Sequence, residues 1–157
     1  VEGSREAIAR YYRQLCNHPY FDGVRVDVGE RSVLGVRKNT YAIRTFATSD
    51  GRDSLASTRL STAQMNCVAL SIYLALAGVL SHRLGFVMLD DPSQSLDAEH
   101  KAALVSVLRA MLPTTQLVVA TQDAELKALL RTALTDDGCR AYDLAWTKAS
   151  VGVTATA

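Results

Sequence analysis

The nine glycines of this 157-residue chain include no GxxxxGK[ST] pattern, and none of them is followed by lysine. That absence excludes a self-contained, lysine-bearing loop for cradling nucleotide phosphates. Only three cysteines occur, Cys16, Cys67 and Cys139, with no CxxC spacing. A disulfide framework or zinc ribbon is thereby excluded, and a reducing, intracellular and cytoplasmic setting is expected, with association with the nucleoid compatible. Excess charge of either sign is missing too: 17 Lys+Arg against 16 Asp+Glu leave a formal net charge of +1. No overall field draws such a chain to nucleic acid or a membrane surface, so a nucleic-acid partner would need a local patch. The N-terminus lacks the basic start and apolar run of a secretion signal, so targeting is not visible in the sequence. The longest stretch without Asp, Glu, Lys, Arg or His lies between Arg59 and His82. Ser61, Thr62, Gln64, Asn66 and Ser71 interrupt it, leaving its apolar part short of the ~20 residues a bilayer needs, so no membrane partner is expected.

What is there reads as one folded unit, with 48% hydrophobic and 21% charged residues and the length of a single domain. Ile8, Tyr11 or Tyr12 and Leu15 fall at helical spacing among charged positions, which predicts an amphipathic helix over residues 5–15. Val24, Val26 and Val28 alternate with polar residues, as do Tyr41, Ile43 and Thr45, predicting a small antiparallel meander or hairpin. Residues 49–58 read as a loop, followed by a helix from about Ser61 to Leu80 with Ser61 as its N-cap and Met65, Val68, Ile72 and Leu76 facing the core. Phe86–Leu89 and Gln116–Ala120 are short apolar runs that read as buried parallel strands. A helix over 98–111, capped by Asp97 and ended by Pro113, separates them, and another follows over 124–134. Residues 140–147 suggest a final strand. The fold expected is therefore α/β, with a parallel sheet core, flanking helices and an antiparallel meander near the N-terminus.

In such a sheet, functional groups lie just beyond the carboxyl ends of the strands. There the sequence offers Asp90-Asp91 after the first apolar run and Thr121-Gln122-Asp123 after the second. Carboxylates at a strand end can hold Mg²⁺ through hard oxygen ligation and orient a water, although a solvated acidic turn has the same look. Ser61 opens a helix whose first-turn amides are free to meet an anion, although an ordinary cap reads the same way. Arg31, Arg37, Lys38 and Arg44 make the meander locally basic, which suits either a nucleic-acid backbone or protection of a sheet edge. Cys16 and His18 lack a second ligand pair and read as packing and loop residues rather than a zinc site.

In order, Leu60-Ser61-Thr62-Ala63-Gln64, Phe86-Val87-Met88-Leu89-Asp90-Asp91-Pro92, Ser95-Leu96-Asp97 and Val118-Val119-Ala120-Thr121-Gln122-Asp123 resemble the signature motif, Walker B strand, D-loop and switch loop of an ATP-binding-cassette (ABC) ATPase. The resemblance spans roughly residues 60–123. The helix and meander before it are similar to the re-entry from a coiled coil in the SMC, SbcC, RecN and RecF branch, whose Walker A loop sits in a separate N-terminal lobe. The resemblance implies the C-terminal lobe of a P-loop NTPase (ABC-type) head, with residues 1–20 a coiled-coil stump and 21–157 the lobe. It implies ATP and Mg²⁺ as cofactors, with Asp90 on the metal side, Asp91 as the carboxylate that polarises the attacking water, and Gln122 at the γ-phosphate-sensing position. Ser61, Thr62, Ala63 and Gln64 would face nucleotide held by an opposite head, and Ser95, Leu96 and Asp97 would line the dimer seam. The partners implied are an N-terminal Walker A lobe, a second head, DNA and a nuclease subunit.

Four positions depart from the family pattern. Thr62 and Ala63 stand where glycines are usual, and each Cβ limits how closely backbone approaches a phosphate. Asp91 replaces the usual Glu and Gln122 the frequent His, which slows hydrolysis by the expected chemistry. For want of the phosphate loop, the chain alone is expected to hydrolyse no ATP. The function expected is half of an ATPase head serving DNA repair or chromosome maintenance. Three other readings remain at this level: the head of an anticodon-nuclease-type defence system, a metal-dependent nuclease using Asp90, Asp91 and Asp123, and a non-catalytic interaction module.

Overall fold

A computed structural model describes residues 2–79, 85–134, 138–146 and 151–156. Helix α1 (Glu2–Leu15) begins earlier than its apolar spacing suggests and buries Ile8, Tyr12 and Leu15 along one stripe. Two 11-residue strands follow, β1 (Gly23–Val33) and β2 (Val36–Phe46), paired antiparallel from Gly23↔Phe46 out to Val33↔Val36. Only the base of this hairpin packs: Val24 and Thr45 are buried, whereas every residue from Val28 to Tyr41 is exposed. The expected meander is thus present but much longer than the alternating valines indicate, because register and a tight turn, not burial, carry its outer half.

The expected loop at 49–58 instead holds a third strand, β3 (Asp53–Leu55), antiparallel to β2, and a 3₁₀ turn over Ala56–Thr58. Asp53 explains the strand: it pairs with Arg25 of β1 and, at 2.6 Å, with Arg44 of β2, tying three strands together across one face. Nothing in the local composition announces that, since the partners lie nine and 28 residues away.

Helix α2 (Thr62–Val79) matches the expectation over its described length; Leu80 lies outside the described residues. Its buried stripe is Cys67, Val68, Ser71, Leu74 and Ala75 rather than the expected set. Of that set Val68 is buried and Ile72 packs against the core, while Leu76 is 38% exposed, correcting its assignment as core. Strand β4 (Phe86–Asp90) and strand β5 (Gln116–Ala120) pair in parallel, from Phe86↔Gln116 to Asp90↔Ala120. Helix α3 (Ala98–Met111) crosses between them, burying Leu104, Val105, Val107, Leu108 and Met111, and helix α4 (Ala124–Leu134) follows. A second hairpin, β6 (Ala141–Trp146) and β7 (Val151–Thr156), replaces the single final strand expected; Thr147 lies outside the described residues.

One core joins these elements: Tyr12 and Leu15 from α1, Val68 and Leu74 from α2, Val87 and Leu89 from β4, and Leu104, Leu108 and Leu126 from the later helices. The parallel strands are not buried on both faces, however. Val87 and Leu89 face the core, while Met88 and its register partner Val118 are 54% and 41% exposed. Among the described residues this parallel sheet has two strands, whereas parallel sheets are ordinarily larger and covered on both sides.

Candidate functional site

Parallel pairing brings the carboxyl ends of β4 and β5 side by side, and the two loops that leave them meet. The chain turns out of β4 at Asp91 in the left-handed region, φ 43°, which aspartate tolerates better than most side chains. Its amide donates to the Ala120 carbonyl at 2.9 Å, extending the ladder by one bond. This turn aims the carboxylate across the strands: Oδ1 accepts from the Gln122 amide at 3.0 Å and Oδ2 from Gln122 Nε2 at 3.2 Å. Asp90 is exposed and lines a cleft of about 350 Å³ with Asn66, Tyr73, Met88 and Gln94. Tyr73, in its lining, donates its hydroxyl to the Met88 carbonyl at 2.7 Å.

A second set of contacts fixes the segment after Asp91. Pro92 and Ser93 are buried, and Ser93 Oγ donates to Asp123 Oδ2 at 2.9 Å. Asp123 also caps α4 by accepting the Glu125 and Leu126 amides. From α3, Lys101 Nζ reaches Asp123 at 2.8 Å and Glu125 at 2.7 Å. The Lys101 ammonium, then the Leu126 amide, hold the Asp123 carboxyl far below the usual carboxylate range. That engagement removes the third carboxylate of a nuclease-like triad, and among the described residues no group of three His, Cys, Asp or Glu is placed to hold a metal.

Ser95 is also left-handed, φ 63°, and Leu96 is buried, so the 95–97 segment is wedged against the core while its neighbours stay exposed. Asp97 caps α3 as expected, accepting the His100 amide at 3.0 Å, and its carboxylate also meets the His100 ring at 2.7 Å. The amide and then the ring lower the Asp97 pKa; burial is the largest single influence on His100 and pulls it down, but the hydrogen bonds and charges of Asp97 and Cys16 together outweigh it and raise the ring above its ordinary value. Behind His100 lies Cys16, whose thiol is held below its ordinary value chiefly by the neighbouring Cys67, against its own burial. His18 is a loop residue, its Nδ1 accepting the Tyr20 and Phe21 amides.

Ser61 and Gln64 form a reciprocal capping box: the Gln64 amide donates to Ser61 Oγ at 3.3 Å and the Ser61 amide to Gln64 Oε1 at 2.9 Å. Thr62 and Ala63 supply first-turn amides for which the helix offers no carbonyl. The fold therefore unites Asp90, Asp91 and Gln122 in one corner and sets Ser95, Leu96 and Asp97 just behind it. It leaves Ser61–Gln64 at the head of α2, joined to that segment through Asn66 Nδ2, which donates to the Gln94 carbonyl at 2.6 Å. Ser93, Lys101, Asn66 and Tyr73 carry no motif. The Ser61-x-x-Gln64 spacing is legible as a capping box, whereas the other contacts depend on tertiary packing.

No family model matches the chain. It is 33% identical over 134 residues to Arcadin-4 of Pyrobaculum calidifontis, covering 85% of this chain and 16% of that protein. It is 35% identical over 68 residues to the DNA double-strand break repair Rad50 ATPase of Sulfurisphaera tokodaii, covering 43% of this chain and 8% of that protein. The chain thus spans a small part of the curated relatives it matches. Among solved structures, one from a study of ATP-driven dimerization and DNA-stimulated activation of SMC ATPases superposes with TM-score 0.70 over 99% of this chain and 84% of its own, at 11% identity. The SMC head domain from Thermotoga maritima superposes with TM-score 0.64 over 100% of this chain and 48% of its own, at 17% identity. The fold is that of SMC head domains.

Proposed function

We propose that this chain, whose fold is that of an SMC/Rad50-like ABC head, is the C-terminal half of such a head and works only with a Walker A lobe supplied by another segment. Assembled, the head would bind and hydrolyse ATP as heads dimerise, in the service of DNA repair or chromosome maintenance. The observation that carries the reading is the corner itself: Asp90 exposed at the end of β4, with Asp91 held against Gln122 of the neighbouring loop. The half-covered parallel pair supports it from a second side, since a strand and an apolar surface from another lobe would complete the sheet over Met88 and Val118.

The residues fit a nucleotide–metal pair. Bound Mg²⁺ would neutralise charge developing on the phosphates. Asp90, an exposed carboxylate to which no described residue donates, supplies the oxygen ligand suited to that cation. Asp91 keeps lone pairs beyond its two bonds to Gln122, so it can accept a proton from an attacking water while Gln122 fixes its orientation. Ser61 with the amides of Thr62 and Ala63 forms an anion-facing helix start. In an assembled pair of heads Ser61 would act on nucleotide held by the opposite head. Ser95, Leu96 and Asp97 would meet their counterparts across the seam.

In the complete protein Asp91→Asn, which preserves size and tolerance of the left-handed backbone, should retain ATP binding and lower turnover by about 10²–10⁴-fold. Ser61→Arg should prevent ATP-dependent head dimerisation, read by light scattering, with monomer binding of ATP intact. Unchanged turnover in both variants would refute the reading.

A further inference from the structure

The outer half of the β1–β2 hairpin has no role in the corner described above. From Val28 to Tyr41 every residue is exposed, yet the sequence there is not one that stability alone would select. Arg31 and Lys38 are direct register partners, so two cations face each other across the ladder on one side of the ribbon. Like charges directly opposed destabilise a sheet. Neither has an acidic partner among the described residues, whereas Arg37 lies 4.0 Å from Glu30 on the other side and Arg44 is taken up by Asp53. The adjacent rung on the same side is Gly29↔Thr40, a smooth step with a hydroxyl. At the tip, Leu34 and Gly35 form a two-residue turn with φ 51° and 78°, the pattern that favours Asn-Gly. Leu34 is instead 100% exposed in a strained conformation, flanked by exposed Val33 and Val36. Strain and exposed apolar surface at one point mark a contact made with something else.

We propose that residues 28–41 form a DNA-binding β-ribbon, with Arg31 and Lys38 on backbone phosphates of a duplex and the Leu34 tip entering the groove. The unmatched cations require an anionic partner, which disfavours a second copy of the same ribbon. A two-stranded ribbon fits the major groove of a duplex, where an apolar side chain can meet a thymine methyl. This surface deepens the DNA part of the reading above and depends on none of the ATP-site residues.

The test uses the complete protein and a fluorescent DNA duplex, with anisotropy measured from about 50 to about 200 mM salt. The double substitution Arg31→Glu/Lys38→Glu should weaken binding by on the order of tenfold or more at the lower salt. Arg31→Gln/Lys38→Gln, which merely removes the charges, should make the slope of log affinity against log salt shallower by about 1.8, the yield of two phosphates. Leu34→Asn should weaken binding with the slope unchanged, and ATP turnover without DNA should be the same in all three. Duplex affinity unchanged in the double variants overturns the proposal and leaves the ATPase reading standing. Loss of duplex affinity in a protein that binds no ATP overturns that reading and supports the ribbon. A parent protein that binds no duplex, and whose hairpin variants lose a protein partner instead, also overturns the proposal.

Discussion

The corner at the ends of β4 and β5 and the far half of the β1–β2 hairpin hold their charges in opposite ways. In the corner, Asp91 is matched by Gln122, Asp123 by Lys101 and Ser93, and Asp97 by His100. Strain at Asp91 and Ser95 is held by buried neighbours, Pro92, Ser93 and Leu96. In the hairpin, Arg31 faces Lys38, and the strained Leu34 has no neighbour that buries it. A network whose members satisfy one another fixes geometry, which reactive groups need. A surface whose members do not satisfy one another keeps its interactions for a partner. Asp90 is the exception inside the corner, and its exposed carboxylate is the group assigned to an external cation.

The strongest way to break this contrast is to make the corner resemble the hairpin. Gln122→Glu replaces the donor 3.2 Å from Asp91 Oδ2 with a second carboxylate. Two carboxylates at that separation cannot both ionise cheaply, so one should titrate well above the ordinary Glu value of about 4.3. Turnover in the complete head should fall by about 10²-fold or more, the scale of losing a positioned base. The folded pKa being raised, the variant's stability deficit should be small at low pH and grow as pH rises through that value. Melting curves at several pH values read this directly. A deficit independent of pH would show that the Asp91–Gln122 contact is not formed in solution.

How much of this could be read beforehand follows from the range of the interactions. Asp97 as the cap of α3, the apolar stripe of that helix and the parallel strands on either side are local or periodic signals, and they appear where the residues put them. The adjacency of Asp91 and Gln122 follows from two strands in parallel register, so the centre of the site was legible as well. The β3 strand was not, since its reason is Asp53 reaching Arg25 and Arg44. The error at Leu76 and at the outer face of Met88 and Val118 has one cause. Apolar periodicity reports surface that favours burial, and part of that surface stays open within this chain.

A smaller test sharpens the hairpin side. Leu34→Asn puts into the turn a side chain that tolerates positive φ and removes an exposed hydrocarbon. The protein should become more stable by up to about 1 kcal/mol, read from denaturant midpoints. A loss of stability would mean that Leu34 packs against another part of the protein, and the tip would cease to be a free surface.

The least disruptive test returns to the corner's edge, at the Asp97–His100 pair. Burial is the largest single influence and disfavours the His100 cation, yet the contacts with Asp97 and Cys16 together prevail and raise the folded pKa above 6.5. The charged pair therefore contributes in full below the unfolded value and fades as pH rises through the folded one. His100→Gln should remove that increment, so that wild type and variant differ most near pH 5 and converge toward pH 8, by a few degrees in Tm at most. Because the same ring also touches Cys16, alkylation of Cys16 after partial unfolding and refolding should shrink the difference if the end of α1 steadies the ring. Unequal melting temperatures that persist at alkaline pH would locate the contribution of His100 in packing rather than in its charge.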